Sequence, residues 1–150
     1  MKKLTLFFSL CLLLLCLLAS CGKSSTDWVK YKTDHDGNVY SYDQKSLKKD
    51  AANNTMEVWG KETYSDTGRT VELQSRIKDG LSVDRYETLA EKVCLYVIDC
   101  QRQKFKILSI NHYDKDGKVL LTTANTREEK LFDIAGGSTM DALKNEVCAK

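Results

Sequence analysis

Histidine is nearly absent from this chain of 150 residues. Only His35 and His112 occur, and neither stands at ligand spacing from another histidine, a thiol or an acid on an evident helix face, which excludes a histidine-centred metal site. Both are expected at the surface or at a sheet edge. Missing too are a glycine-rich phosphate loop, a nucleophile elbow and any nucleophile set beside a base. Enzyme chemistry is therefore not expected: no catalytic, cofactor-binding or metal-ligating residue is assigned, and no cofactor is implied. Charge of one sign is lacking as well. The formal surplus of +2 resides in Lys2 and Lys3, so the chain after Ser20 is balanced, and nothing supplies the clustered basic excess that nucleic acid would need. Long hydrophobic runs are absent but for one, Leu4 to Leu18, and it falls short of the roughly 20 residues that span a bilayer.

That one run follows Met1, Lys2 and Lys3 and ends in Leu18-Ala19-Ser20-Cys21. A positive start, an apolar stretch and small closing residues make residues 1–20 a secretory signal. The closing tetrapeptide resembles the lipobox of bacterial lipoproteins. The resemblance implies that the Cys21 thiol carries lipid, that cleavage makes it the mature N-terminus, and that the lipid bilayer is one partner. Two or three acyl chains hold a protein firmly without a basic patch. Residues 21–26 then form a short polar tether, and residues 27–150 one domain, of a size that permits a single modest core. Gly22 is not the aspartate that retains lipoproteins on an inner membrane, so a lipid-anchored outer-membrane location in the cell envelope is expected.

Cys11 and Cys16 leave with the signal, so Cys94, Cys100 and Cys148 remain for the domain. An odd count in an exported protein gives one disulfide and one spare thiol. Cys94 and Cys100 share the apolar run Val93 to Cys100, which is expected to form a buried strand. Six residues of strand separate them by about 20 Å, beyond disulfide reach. Cys148 therefore pairs with one of them, and the other is a buried thiol or links two copies into a homodimer.

The domain is expected to be α+β: mostly antiparallel strands with one C-terminal helix. Strands are predicted at Trp28 to Lys32, Val39 to Tyr42, Thr55 to Tyr64, Thr70 to Lys78, Val93 to Cys100, Lys104 to Tyr113 and Lys118 to Thr123. For the fourth, Val71, Leu73 and Ile77 at period two, with Glu72, Gln74 and Arg76 opposite, indicate a half-buried strand. Asp34 to Asn38, Ser65 to Gly68 and Asp114 to Gly117 carry the aspartate and glycine of tight turns. The two Asp-x-Asp-Gly stretches at Asp34 and Asp114 lack the distal glutamate and flanking helices of a calcium loop. Asp79 to Lys92 has spacing for either a helix or a long loop with one helical turn. A helix is predicted from Thr139 to about Cys148, capped by Ser138, with Met140, Leu143 and Val147 facing the sheet. Trp28, Tyr31, Tyr40, Tyr42, Trp59 and Tyr64 crowd the first half, suited to strand packing or, where exposed, to a protein interface.

Five stretches in order, Val39 to Asp43 with Ser46-Leu47, Met56 to Trp59, Ile98 to Cys100, Tyr113 to Leu120, and Ile134 to Ser138 with Leu143 to Cys148, together resemble the surface-adhesin protein E family of small bacterial lipoproteins. The resemblance implies a single antiparallel sheet of about six strands, with a C-terminal helix packed on it and tied by a disulfide. It implies attachment to host extracellular-matrix proteins; the alternative is a periplasm-facing lipoprotein with a structural role among other envelope proteins. Proline, absent altogether, departs from a family that commonly has one after Asp43 and one near Gly136, and Cys94 is extra. The disulfide is expected between Cys100 and Cys148, because Cys100 ends its strand where a helix end can approach, leaving Cys94 as the free thiol.

Overall fold

The computed structural model of the protein describes residues 26–124 and 130–150, so the signal, Cys21 and most of the tether lie outside the described residues. Strand β1 (Trp28–Thr33) turns at Asp34 to Asn38 into β2 (Val39–Asp43). The Asp34 carboxylate accepts the backbone N–H groups of Asp36 (3.0 Å) and Asn38 (2.8 Å), and Gly37 takes φ +85°. Asp114 repeats this arrangement with Asp116 and Lys118, with Gly117 at φ +76°. Both carboxylates are engaged by amides, as turn-formers are.

A short β3 (Lys48–Asp50), the long β4 (Thr55–Thr63), β5 (Leu89–Asp99), β6 (Lys104–Asp114), β7 (Val119–Ala124) and a two-residue β8 (Phe132–Asp133) follow. The sheet is antiparallel in the order β1-β2-β4-β5-β6-β7, with β3 on β4 and β8 on β6 beside that path. Six strands thus make the main sheet, and the fold class is α+β as the sequence led us to expect.

One predicted strand is a helix. Thr70 to Lys78 belongs to α1 (Asp66–Lys78), and Ser65 to Gly68 is not a hairpin turn but its N-terminus. The Ser65 hydroxyl caps the helix by accepting the Gly68 N–H at 2.9 Å. Gly68 is there for space: a Cβ would stand 1.8 Å from Oδ1 of buried Asn38, which itself accepts the Ser65 N–H at 3.0 Å. The period-two pattern misled because Val71 and Ile77 are 48% and 61% exposed; of the three, only Leu73 packs against the core. The inward positions of α1 are Gly68 and Arg76, so no apolar stripe at helical spacing exists to be read. Between α1 and β5 the chain is a loop with one 3-10 turn at Tyr86–Thr88.

The second helix, α2 (Thr139–Cys148), lies where the sequence places it, with the Ser138 hydroxyl accepting the Asp141 N–H at 3.1 Å. Both helices cover the same face. Along β4, Met56, Val58, Gly60 and Glu62 are buried in alternation with less buried neighbours, as the strand period requires. Leu143 and Val147 of α2 pack with Tyr42, Met56, Val58 and Ile98. Tyr64, Tyr86 and Leu89 form a second cluster, joined by Leu73 of α1.

Candidate binding face

The cysteines define how the helix is held. Cys100, just past the end of β5, is bonded to Cys148 at the end of α2, with Cα atoms 5.8 Å apart. Cys94 is a free thiol, 2% exposed; β5 begins at Leu89, so Cys94 sits in mid-strand and not at its start. Burial raises its thiol pKa, and a buried thiol of that kind is inert. Of the two fates the sequence left open for the spare thiol, this enclosure fits the buried one.

His112 is corrected. It is 4% exposed, in the middle of the covered face, and not at a surface or edge. Its Nδ1 and the Tyr86 hydroxyl are hydrogen-bonded at 2.8 Å. Burial, together with the cations of Lys92 and Arg76, pushes its pKa down to about 4, so it is neutral at physiological pH. His35 is exposed, 3.3 Å from Asp36. No group of three or more His, Cys, Asp or Glu among the described residues is arranged to hold a metal ion.

Among the described residues no α-helix covers the opposite sheet face, and only the 3-10 turn Gln44–Ser46 borders it. The residues alternating with the core set place Trp59 opposite Leu95, Lys61 opposite Val93 and Glu57 opposite Val97. Tyr113 and Asn111 continue the same face on β6, across from Glu91 and Val93. Trp28 joins from β1, with the Lys61 ammonium 4.8 Å above its ring, and Lys61 is itself paired with Glu91 at 3.1 Å. None of Trp28, Trp59, Val93, Leu95, Val97 or Tyr113 belongs to either core cluster. The apolar run Val93 to Cys100 is therefore buried on one side only; a run that alternates poorly between polar and apolar concealed this. The face is hollowed in two places. A depression of about 380 Å³ lies among Thr26, Trp28, Trp59, Val93 and Tyr113. Another of about 570 Å³ lies among Lys48, Glu57, Val97, Lys106 and Leu108. A half-buried apolar band rimmed by ion pairs, such as Lys48 with Glu57 at 2.8 Å, has the composition of a protein-contact surface.

The aromatics of the first half are thereby sorted. Trp28 and Trp59 stand on the open face, whereas Tyr31 and Tyr42 pack with the cluster under α2 and Tyr64 with the cluster beside α1.

A single antiparallel sheet, roofed on one side by two helices and without an α-helix of the described residues on the other, with a disulfide fastening the C-terminal helix, defines a small α+β domain that presents one broad sheet surface. The chain belongs to the surface-adhesin protein E family, whose model matches residues 28–149. Two crystal structures of Haemophilus influenzae protein E share the fold, each with a TM-score of 0.51. The identity is 10% for crystal form II, with 88% of this chain and 94% of that one covered, and 11% for the other, with 88% and 91% covered. No curated protein sequence matches the chain.

Proposed function

We propose that the mature chain is a surface-adhesin-like lipoprotein: a protein-binding module anchored to the outer membrane through acylated Cys21, with residues 1–20 removed, residues 21–26 as tether and residues 27–150 as the binding domain. The observation that carries the reading is the unroofed sheet face. A band holding two tryptophans, a tyrosine and three branched aliphatic residues, left out of both cores, is larger than the scattered apolar residues of an ordinary surface. Its ion-paired rim suits a folded, hydrated protein partner. Membership in the surface-adhesin protein E family supports a host extracellular-matrix protein as that partner. The tether keeps the domain close to the membrane that holds it, since the eight residues from Cys21 to Trp28 reach at most about 25 Å when extended.

Two measurements test this. Protease added to intact cells should remove the domain, and the purified lipoprotein should bind immobilised laminin or vitronectin. A domain protected from protease and inert toward matrix proteins assigns the face to another envelope protein in the periplasm instead. For the anchor, Cys21→Ser should leave unprocessed precursor, because signal peptidase II acts on the lipidated thiol; normal maturation of that variant refutes lipidation.

A further inference from the structure

On the roofed side, a cavity of about 250 Å³ opens where the first turn of α2 meets β1, β2, β4 and β5. Its walls are the side chains of Tyr31, Tyr40 and Tyr96 with Thr139 at the rim, and its floor holds Glu62 and Lys92. Glu62 is 8% exposed and is ion-paired with Lys92 across the β4–β5 pairing. Its other oxygen accepts the Tyr40 hydroxyl at 2.9 Å and the Asn38 amide at 3.4 Å. Lys92 points to the covered face and yet keeps 28% of its side-chain surface accessible, which the cavity provides. Gly60 of β4 lets the Tyr96 ring lie against the strand as one wall: a Cβ there would stand 2.8 Å from that ring.

Stability does not account for this floor. A buried ion pair is commonly matched or bettered by apolar residues of the same volume, yet this one is kept within a polar network of Asn38, Tyr40 and Asp34. The pair does restrict what can enter. With the carboxylate and ammonium neutralising each other, an anion meets Glu62 and a cation meets Lys92. A wholly apolar guest would strip water from both charges and return nothing. The Tyr40 hydroxyl is already bonded to Asp34 and Glu62, so a neutral guest with hydroxyl groups on its edge and C–H groups on its face would add hydrogen bonds to the Tyr31 hydroxyl, Thr139 and the outer side of the floor, and lay its apolar side on the tyrosine rings. The volume is below the roughly 300–1,000 Å³ of drug-sized sites, so one ring fits and two do not. We propose that this cavity binds a single neutral pyranose, as a free sugar or as the end unit of a glycan.

The test is saturation-transfer NMR on the full-length lipoprotein in detergent micelles, with glucose, galactose and N-acetylglucosamine as free sugars and as methyl glycosides. At least one should receive saturation, chiefly at the ring C–H protons, at concentrations up to about 20 mM. Binding of the glycosides identifies a glycan end as a source; binding of free sugars alone identifies the free sugar. Tyr31→Phe and Thr139→Val, which remove one hydroxyl each and keep the fold, should weaken binding about threefold to tenfold. Trp59→Ala, on the opposite face, should leave it unchanged. No transfer to any of the sugars overturns the proposal. So does stronger binding of inorganic phosphate or alanine than of every hexose, or binding that follows Trp59 and ignores Tyr31 and Thr139.

Discussion

His112 is enclosed by Tyr86 from the loop, Lys92 from β5 and Arg76 from α1, and both cations work against its protonation. Its pKa in the folded chain is about 4 against an ordinary 6.5. Between those values the unfolded chain takes up a proton that the folded one refuses, so stability is lost as pH falls through that window and is level above it. Urea titrations from pH 7.5 to 4.5 should show a falling midpoint. His112→Gln, which keeps an acceptor for Tyr86 and removes the titration, should flatten the part of that fall due to this residue. Gly60 matters at the same scale through space alone. Gly60→Ala puts a methyl group against the Tyr96 ring and should destabilise by about 1–3 kcal/mol, measured by chemical denaturation. If the variant is as stable as the parent, the Tyr96 ring moves aside freely.

Among the elements, α2 depends on a covalent tie as well as on packing. Its ten residues are too few to be stable as an isolated helix, and Leu143 and Val147 supply its buried contact. The disulfide closes a loop of 48 residues, worth about 4 kcal/mol in the chain-entropy account. Cys100→Ser with Cys148→Ser should lower the unfolding free energy by roughly that amount; a loss under about 1 kcal/mol would show that packing alone holds the helix. The first helix is held differently. The Arg76 guanidinium lies 3.9 Å from the centre of the Tyr86 ring, and its Nε donates to the Ser82 carbonyl oxygen at 3.0 Å. Arg76→Met keeps much of the volume and forfeits the ring and carbonyl contacts. It should cost about 1–3 kcal/mol and speed hydrogen exchange in Asp66–Lys78 ahead of the sheet.

For the molecule as a whole, the proposed function gives the two sheet faces separate jobs, and substitutions should separate likewise. Leu95→Lys and Trp59→Ala lie outside both cores. Each should abolish or greatly weaken capture of a matrix protein, with a truncated tryptophan at such a contact costing about 2 kcal/mol or more of binding. The unfolding midpoint should hardly change, because neither side chain fills the core. Variants that unfold the chain as readily as Leu143→Ala would place the open face in the core instead.

The sequence by itself determined the six strands of the main sheet, the α2 helix with its Ser138 cap, the two Asp-Gly turns and the pairing of Cys148 with a strand-end cysteine. These are local: period-two burial, a hydroxyl before a helix and an aspartate three residues before a glycine are written within a few neighbouring positions. Tertiary structure alone decided the rest. Ser65 to Gly68 carries residues that serve a turn or a helix start equally well, and it becomes a helix because Asn38, 30 positions before Gly68, sits where only a glycine leaves room. His112 is neutral because distant segments bury it and set the cations of Lys92 and Arg76 beside it. Above all, the alternation in β4 shows that the sheet has two faces and cannot show which one the helices cover. That choice, made by the disulfide and by where α1 and α2 find apolar partners, buries Tyr42 and Ile98 and leaves Trp28, Trp59 and Leu95 outside both cores.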